Sequence, residues 1–150
     1  PESMGAALSI AETGHLVLAT MHTNTAAGAV TRMVDAFPPD KQEVIRMNMS
    51  MSLLAVVAQQ LVPTNDAGRV LACEVMVATQ AIRALIRENN VHQLDNYIKS
   101  GGNDGMVLMD DSLMTLFQKG IISDVNLIRH AINVTQMEQN MGSARKQPNI

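Results

Sequence analysis

The chain has 150 residues, of which 47% are hydrophobic, 2% aromatic and 17% charged, with a net charge of −3 and a single cysteine. That length suits one domain with a buried core, built here from aliphatic residues and twelve Met because Trp is absent. The charge balance and the scarcity of aromatic stacking platforms argue against a nucleic-acid surface. One cysteine excludes an internal disulfide framework and a four-thiolate zinc site, and no apolar run approaches the roughly 20 residues of a membrane helix. No signal-peptide pattern occurs in these residues, and a soluble cytoplasmic protein is expected.

Pro1-Glu2-Ser3-Met4 leads into Ala7, Leu8 and Ala11, an apolar stripe at helical spacing. Proline favours the first helical position, so the cap would lie before residue 1, and a preceding N-terminal portion is expected. Leu16 to Met21 is almost continuously apolar, the pattern of a parallel strand covered on both faces. It ends in His22-Thr23-Asn24-Thr25. Thr25 or Asn24 can cap the next helix, which carries Val30, Met33 and Val34. Phe37-Pro38-Pro39 ends that helix. Asp40, with Glu43 as capping-box partner, opens a long one whose buried stripe is Val44, Met47, Met51, Leu54, Ala58 and Leu61.

Pro63 to Gly68 reads as a turn, and Arg69 to Val77 as a strand. That strand pairs either with the short Gln60-Leu61-Val62 end or with the core sheet. After Thr79 the pattern is helical only, over 80–89, 91–99, 107–119 and 124–132, with Gly101 to Gly105 as a loop. Gly120 suits a helix C′ position and Ser123 a helix cap. From about Met137 the chain turns polar, and a disordered tail is expected over 137–150. The division is therefore 1–79 as α/β, 80–136 as a helical subdomain, and the tail.

Ligands of open α/β sheets bind at the carboxyl ends of strands, and a helix start offers unpaired N–H groups to an anion. His22 stands where it could donate to a phosphate or bond its own loop, and its residues alone leave both open. Thr23, Asn24 and Thr25 could contact phosphate or cap the helix, with capping favoured. His15 lies seven residues earlier, roughly 23 Å away in an extended strand, too far to share one ion with His22. Arg32 has Asp35 at i,i+3 as its default partner. Arg83 and Arg87 repel each other at i,i+4 on the helix whose other face holds Ile82, Leu85 and Ile86, which mildly suggests an acidic partner surface. Cys73 reads as a small buried hydrophobe, Asp110 and Asp111 as a helix-start acid pair, and Glu74 as a strand residue without an obvious partner.

Gly14-His15-Leu16-Val17 through His22-Thr23, with Arg32-Met33-Val34-Asp35 and Phe37-Pro38, resembles the histidine box of secretion ATPases. Ala81-Ile82-Arg83-Ala84-Leu85-Ile86-Arg87-Glu88 is similar to the signature helix of the type IV pilus retraction ATPases, and Gly105-Met106 with Asp110 is a weaker match to a third block. The resemblance runs from Pro1 to about Asn140. It implies the C-terminal half of a RecA-like P-loop ATPase core followed by an all-helical subdomain. It further implies a homo-hexameric motor that hydrolyses ATP with Mg²⁺ to retract a pilus, peripheral at the cytoplasmic face of the inner membrane and working against a platform protein there. His15, His22 and Arg32 would form the histidine box, and His22 would act catalytically as the γ-phosphate sensor. Thr23, Asn24 and Thr25 would lie beside the nucleotide. Ile82, Arg83, Leu85, Ile86, Arg87 and Glu88 would make an output helix, in which charge reversal of both arginines spares turnover and stops mechanical output. The phosphate loop and the magnesium ligands would lie upstream, since no G-x-x-x-x-G-K-[ST] occurs here. Pilus-extension and type II secretion ATPases usually insert CxxC pairs where Pro63 to Gly68 stands, which favours retraction. An accessory retraction motor, an assembly or secretion ATPase, or a non-catalytic ring-assembly module are the alternatives.

Overall fold

The computed structural model describes residues 2–144. The elements are α1 (Glu2–Glu12), α2 (Ala26–Asp35), α3 (Pro39–Ser52), β1 (Ala55–Pro63), β2 (Arg69–Val77), α4 (Gln80–Arg87), α5 (Leu94–Ser100), α6 (Met109–Gln118), α7 (Asp124–His130) and α8 (Val134–Ala144). The expectation of mixed helix and sheet followed by helices holds.

β1 and β2 form an antiparallel hairpin with Ala58 opposite Glu74 and Leu61 opposite Leu71. Its turn closes with Thr64 N donating to Gly68 O at 3.0 Å. The outer edge of β2 is covered rather than left open: Val75 exchanges two backbone hydrogen bonds with Val107, and Cys73 N donates to Ser112 Oγ. Cys73 is half-buried, less enclosed than its apolar neighbours suggested.

Two apolar clusters form on the covered face of this hairpin. The first joins Val30 and Val34 of α2 and Met49 of α3 to Met76, Ile82, Ile86, Leu94 and Ile98. The second joins Ala58, Val62 and Ala72 of the hairpin to Met109, Leu113, Ile122, Leu127 and Met137. Each cluster takes residues from both sides of residue 80, so the division expected there is not visible as a seam in the packing.

Three expectations are corrected. Leu16 to Met21 forms no strand; Leu16 is 76% and Leu18 89% exposed. A strand exists only by pairing, and the sheet among the described residues is the β1–β2 hairpin, with which this segment does not pair. The long helix stops at Ser52, and Ala55 to Pro63 is strand. Its proposed stripe is mostly solvent-facing: Val44, Met47, Met51, Leu54 and Leu61 are exposed, and of the six only Ala58 is buried. The helix also starts at Pro39, with no side-chain cap, so Asp40 and Glu43 form no capping box. Finally, the chain does not become irregular at Met137: α8 runs to Ala144 and buries Met137 in the second cluster, while the rest of the expected tail, 145–150, lies outside the described residues.

Candidate functional site

The candidate site is the connection from α1 to α2. Gly14, at φ 89°, turns the chain out of α1 in a conformation that favours glycine. Thr13 Oγ1 donates to Ile10 O at 2.7 Å and lies 2.9 Å from His15 Nδ1. His15 is thus bonded at the end of α1. From there Leu16 to Met21 runs along an apolar groove of about 770 Å³, whose other walls include Leu8, Met33, Met49 and Leu54. His15 lines the groove and His22 does not.

His22 is exposed where the segment leaves the groove. Its backbone carbonyl accepts from Arg32 Nη1 at 3.2 Å, so the structure brings Arg32 and His22 together through the main chain. This bond, not a pairing with Asp35, is where the Arg32 guanidinium is used. Thr23 is half-buried and Asn24 exposed. Thr25 is the cap of α2, with φ −139° and ψ 155°, and its Oγ1 accepts from Gly28 N at 3.0 Å. A Cβ on Gly28 would come within 2.9 Å of that hydroxyl.

The start of α2 already holds a carboxylate. Its first N–H, Ala26 N, donates to Glu74 Oε1 at 2.6 Å. The same dipole end that would attract a phosphate holds this carboxylate. Glu74 is 2% exposed, and its Oε2 accepts from Met109 N, the first N–H of α6, at 3.1 Å. Burial pushes the Glu74 carboxyl above its ordinary value; the two backbone donors pull the other way, and Asp95 and Asp110 add to the rise. Sequence reasoning missed this residue. The signal was present: Glu74 lies in register between Ala72 and Met76 on the face that the strand buries, and a charge there needs partners.

The α4 helix is anchored from both sides. Thr79 caps it, and Ile82, Leu85 and Ile86 are buried. Arg83 Nη1 donates to Ser50 O at 2.8 Å and to Met51 O at 2.7 Å, capping the last turn of α3. Arg87 and Glu88 are exposed. The two arginines therefore differ, and reversing both would break the α3 contact as well as change a surface charge. Asp110 and Asp111 lie in the first turn of α6, as read, and the Asp110 carboxylate also accepts from Ile132 N and Asn133 N at 2.7 and 2.9 Å, just before α8. His130 Nδ1 lies 2.8 Å from Gln60 Oε1. Among the described residues, no group of three or more His, Cys, Asp or Glu could hold a metal ion, and no helix is long and apolar enough to cross a membrane.

Residues 1–123 match the family model described as "Type II/IV secretion system protein". The chain is 44% identical over 138 residues to a twitching motility protein of Neisseria gonorrhoeae, covering 91% of this chain and 37% of the relative. It is 45% identical over 125 residues to the type IV pilus retraction ATPase PilT of Pseudomonas aeruginosa, covering 83% of this chain and 36% of the relative. The crystal structure of the pilus retraction motor PilT with bound ADP superposes with a TM-score of 0.83 at 36% identity, over 92% of this chain and 38% of that one. The chain thus spans a little over a third of the length of these relatives. It belongs to the type II/IV secretion system protein family.

Proposed function

We propose that this chain is part of a hexameric ATPase motor that hydrolyses ATP to drive type IV pilus retraction. The observation that carries this reading is the identity of 44% to a twitching motility protein and 45% to a retraction ATPase over more than four-fifths of the chain. His22 acts as the sensor of the γ-phosphate. Its exposed imidazole can donate a hydrogen bond to a terminal phosphate oxygen, and loss of that phosphate leaves the donor unpaired. Thr23 and Asn24 lie beside the nucleotide, while Thr25 mainly holds the start of α2. The bond from Arg32 to the His22 carbonyl ties the segment to α2. The α4 helix carries the output, with Arg87 and Glu88 facing outward and Ile82, Leu85 and Ile86 holding it to the core.

ATP is hydrolysed with Mg²⁺, whose ligands belong to the complete protein. The nucleotide's phosphate-binding loop, the neighbouring subunits and the membrane platform protein belong to the complete protein. The motor works at the cytoplasmic face of the inner membrane without spanning it.

The test uses the complete protein that carries this chain. ATP turnover is measured on the purified protein, and pilus retraction in cells that lack its gene and in cells complemented with it. Turnover together with loss and recovery of retraction is expected. A protein that hydrolyses no ATP, or cells that retract normally without it, would contradict the reading. Calorimetry on residues 1–150 alone is expected to show no tight ATP binding.

A further inference from the structure

Glu74 is a buried carboxylate in a strand that otherwise packs aliphatic side chains. A buried charge is costly, and an apolar residue of similar volume would serve packing at least as well. What an apolar residue cannot do is bind two helix starts at once. Glu74 Oε1 takes the first N–H of α2 and Oε2 the first N–H of α6, across 48 and 35 residues of chain. These helices sit in different clusters: Ala26, Val30 and Val34 of α2 in the first, Met109 and Leu113 of α6 in the second. On β2 itself, Ala72 belongs to the second cluster and Met76 to the first, so Glu74 stands at their junction.

We propose that Glu74 is the positioning residue that couples the His22–Thr25 segment to the helical part of the chain, because its carboxylate brackets the first amides of α2 and α6 together. The segment is tied to α2 by Thr25 at its start and by Arg32 at the His22 carbonyl. A displacement at His22 is therefore carried by α2 to Glu74, and by Glu74 to α6. The α6 helix packs on β2 and α7. Through Asp110, which accepts the amides of Ile132 and Asn133, it also holds the entry to α8. This coupling rests on the function proposed above; the bracket itself does not.

The test is made in the complete protein with Glu74→Gln and Glu74→Asp. Gln keeps the size but offers one acceptor, so its NH₂ opposes one of the two amides. Asp keeps the charge but is one methylene short of reaching both. In each variant amide exchange is expected to quicken at whichever of Ala26 and Met109 loses its acceptor. For each variant kcat for ATP is expected to fall by about tenfold, the scale of a small misplacement of reacting groups, while KM stays within about twofold. A merely structural Glu74 would lower the folded fraction and leave kcat per folded molecule alone. Faster exchange with kcat unchanged, exchange unchanged at both amides, or full kcat in Glu74→Asp would each overturn the proposal. If Glu74→Gln does not fold, the Asp variant carries the same readouts. If the parent protein hydrolyses no ATP, the motor reading falls and so does the coupling, while the exchange rates still decide whether the bracket exists.

Discussion

Glu74→Ala is expected to lower the unfolding free energy by about 2–4 kcal/mol, because it strips the acceptor from two buried helix-start amides and leaves a cavity at the junction of two clusters. At about 2–4 °C per kcal/mol the melting temperature should fall on the order of 10 °C. The pH dependence has a definite sign. Burial raises the folded carboxyl above the ordinary value of 4.5. In the window that opens at that value and extends upward to the folded value, the folded state binds more protons than the unfolded one. Stability contributed by this group is therefore complete below the window and is lost as pH rises through it. Denaturant titrations of the parent and Glu74→Gln across that window should show the parent losing stability relative to the variant as pH increases. The opposite slope would mean that the two backbone donors outweigh burial.

The second large effect is on α4. Ile82 is fully buried in the first cluster, and Ile82→Ala should cost about 2–5 kcal/mol. Arg83→Ala should cost about 1–2 kcal/mol, from two lost hydrogen bonds at the C-terminal end of α3. Arg87→Ala, at an exposed site, should change stability by no more than about 0.5 kcal/mol. Urea midpoints at constant m-value give this order directly. Equal losses for the two arginines would mean that Arg83 does not cap α3. The exposed Arg87 is accordingly the cleaner position for separating mechanical output from folding.

Much of the local structure was legible because it is set by nearest neighbours. Thr25 caps α2, Ser123 caps α7, Gly120 takes φ 70° after α6, and Arg69 to Val77 is a strand. What failed depends on partners distant in sequence. Leu54, Ala58 and Leu61 continue a helical period, but Leu53 to Ala58 is also a continuous apolar run with β-branched residues, and the ladder to β2 decides it. Leu16 to Met21 has the composition of a buried strand and no strand beside it. At the candidate site, residue types gave the Thr25 cap, while the strand expected to deliver His22 is absent from the described residues. The use of Arg32 on the His22 carbonyl and of Glu74 on Ala26 spans 10 and 48 residues, which no local pattern encodes. The buried register of Glu74 was the one clue available.

The proposed function requires the exposed His22 to read the nucleotide. Steady-state ATP turnover of the complete protein should fall on the order of 100-fold in His22→Ala, the scale of removing one well-placed donor from developing phosphate charge, with the fold and assembly intact. Turnover equal to the parent's would contradict it.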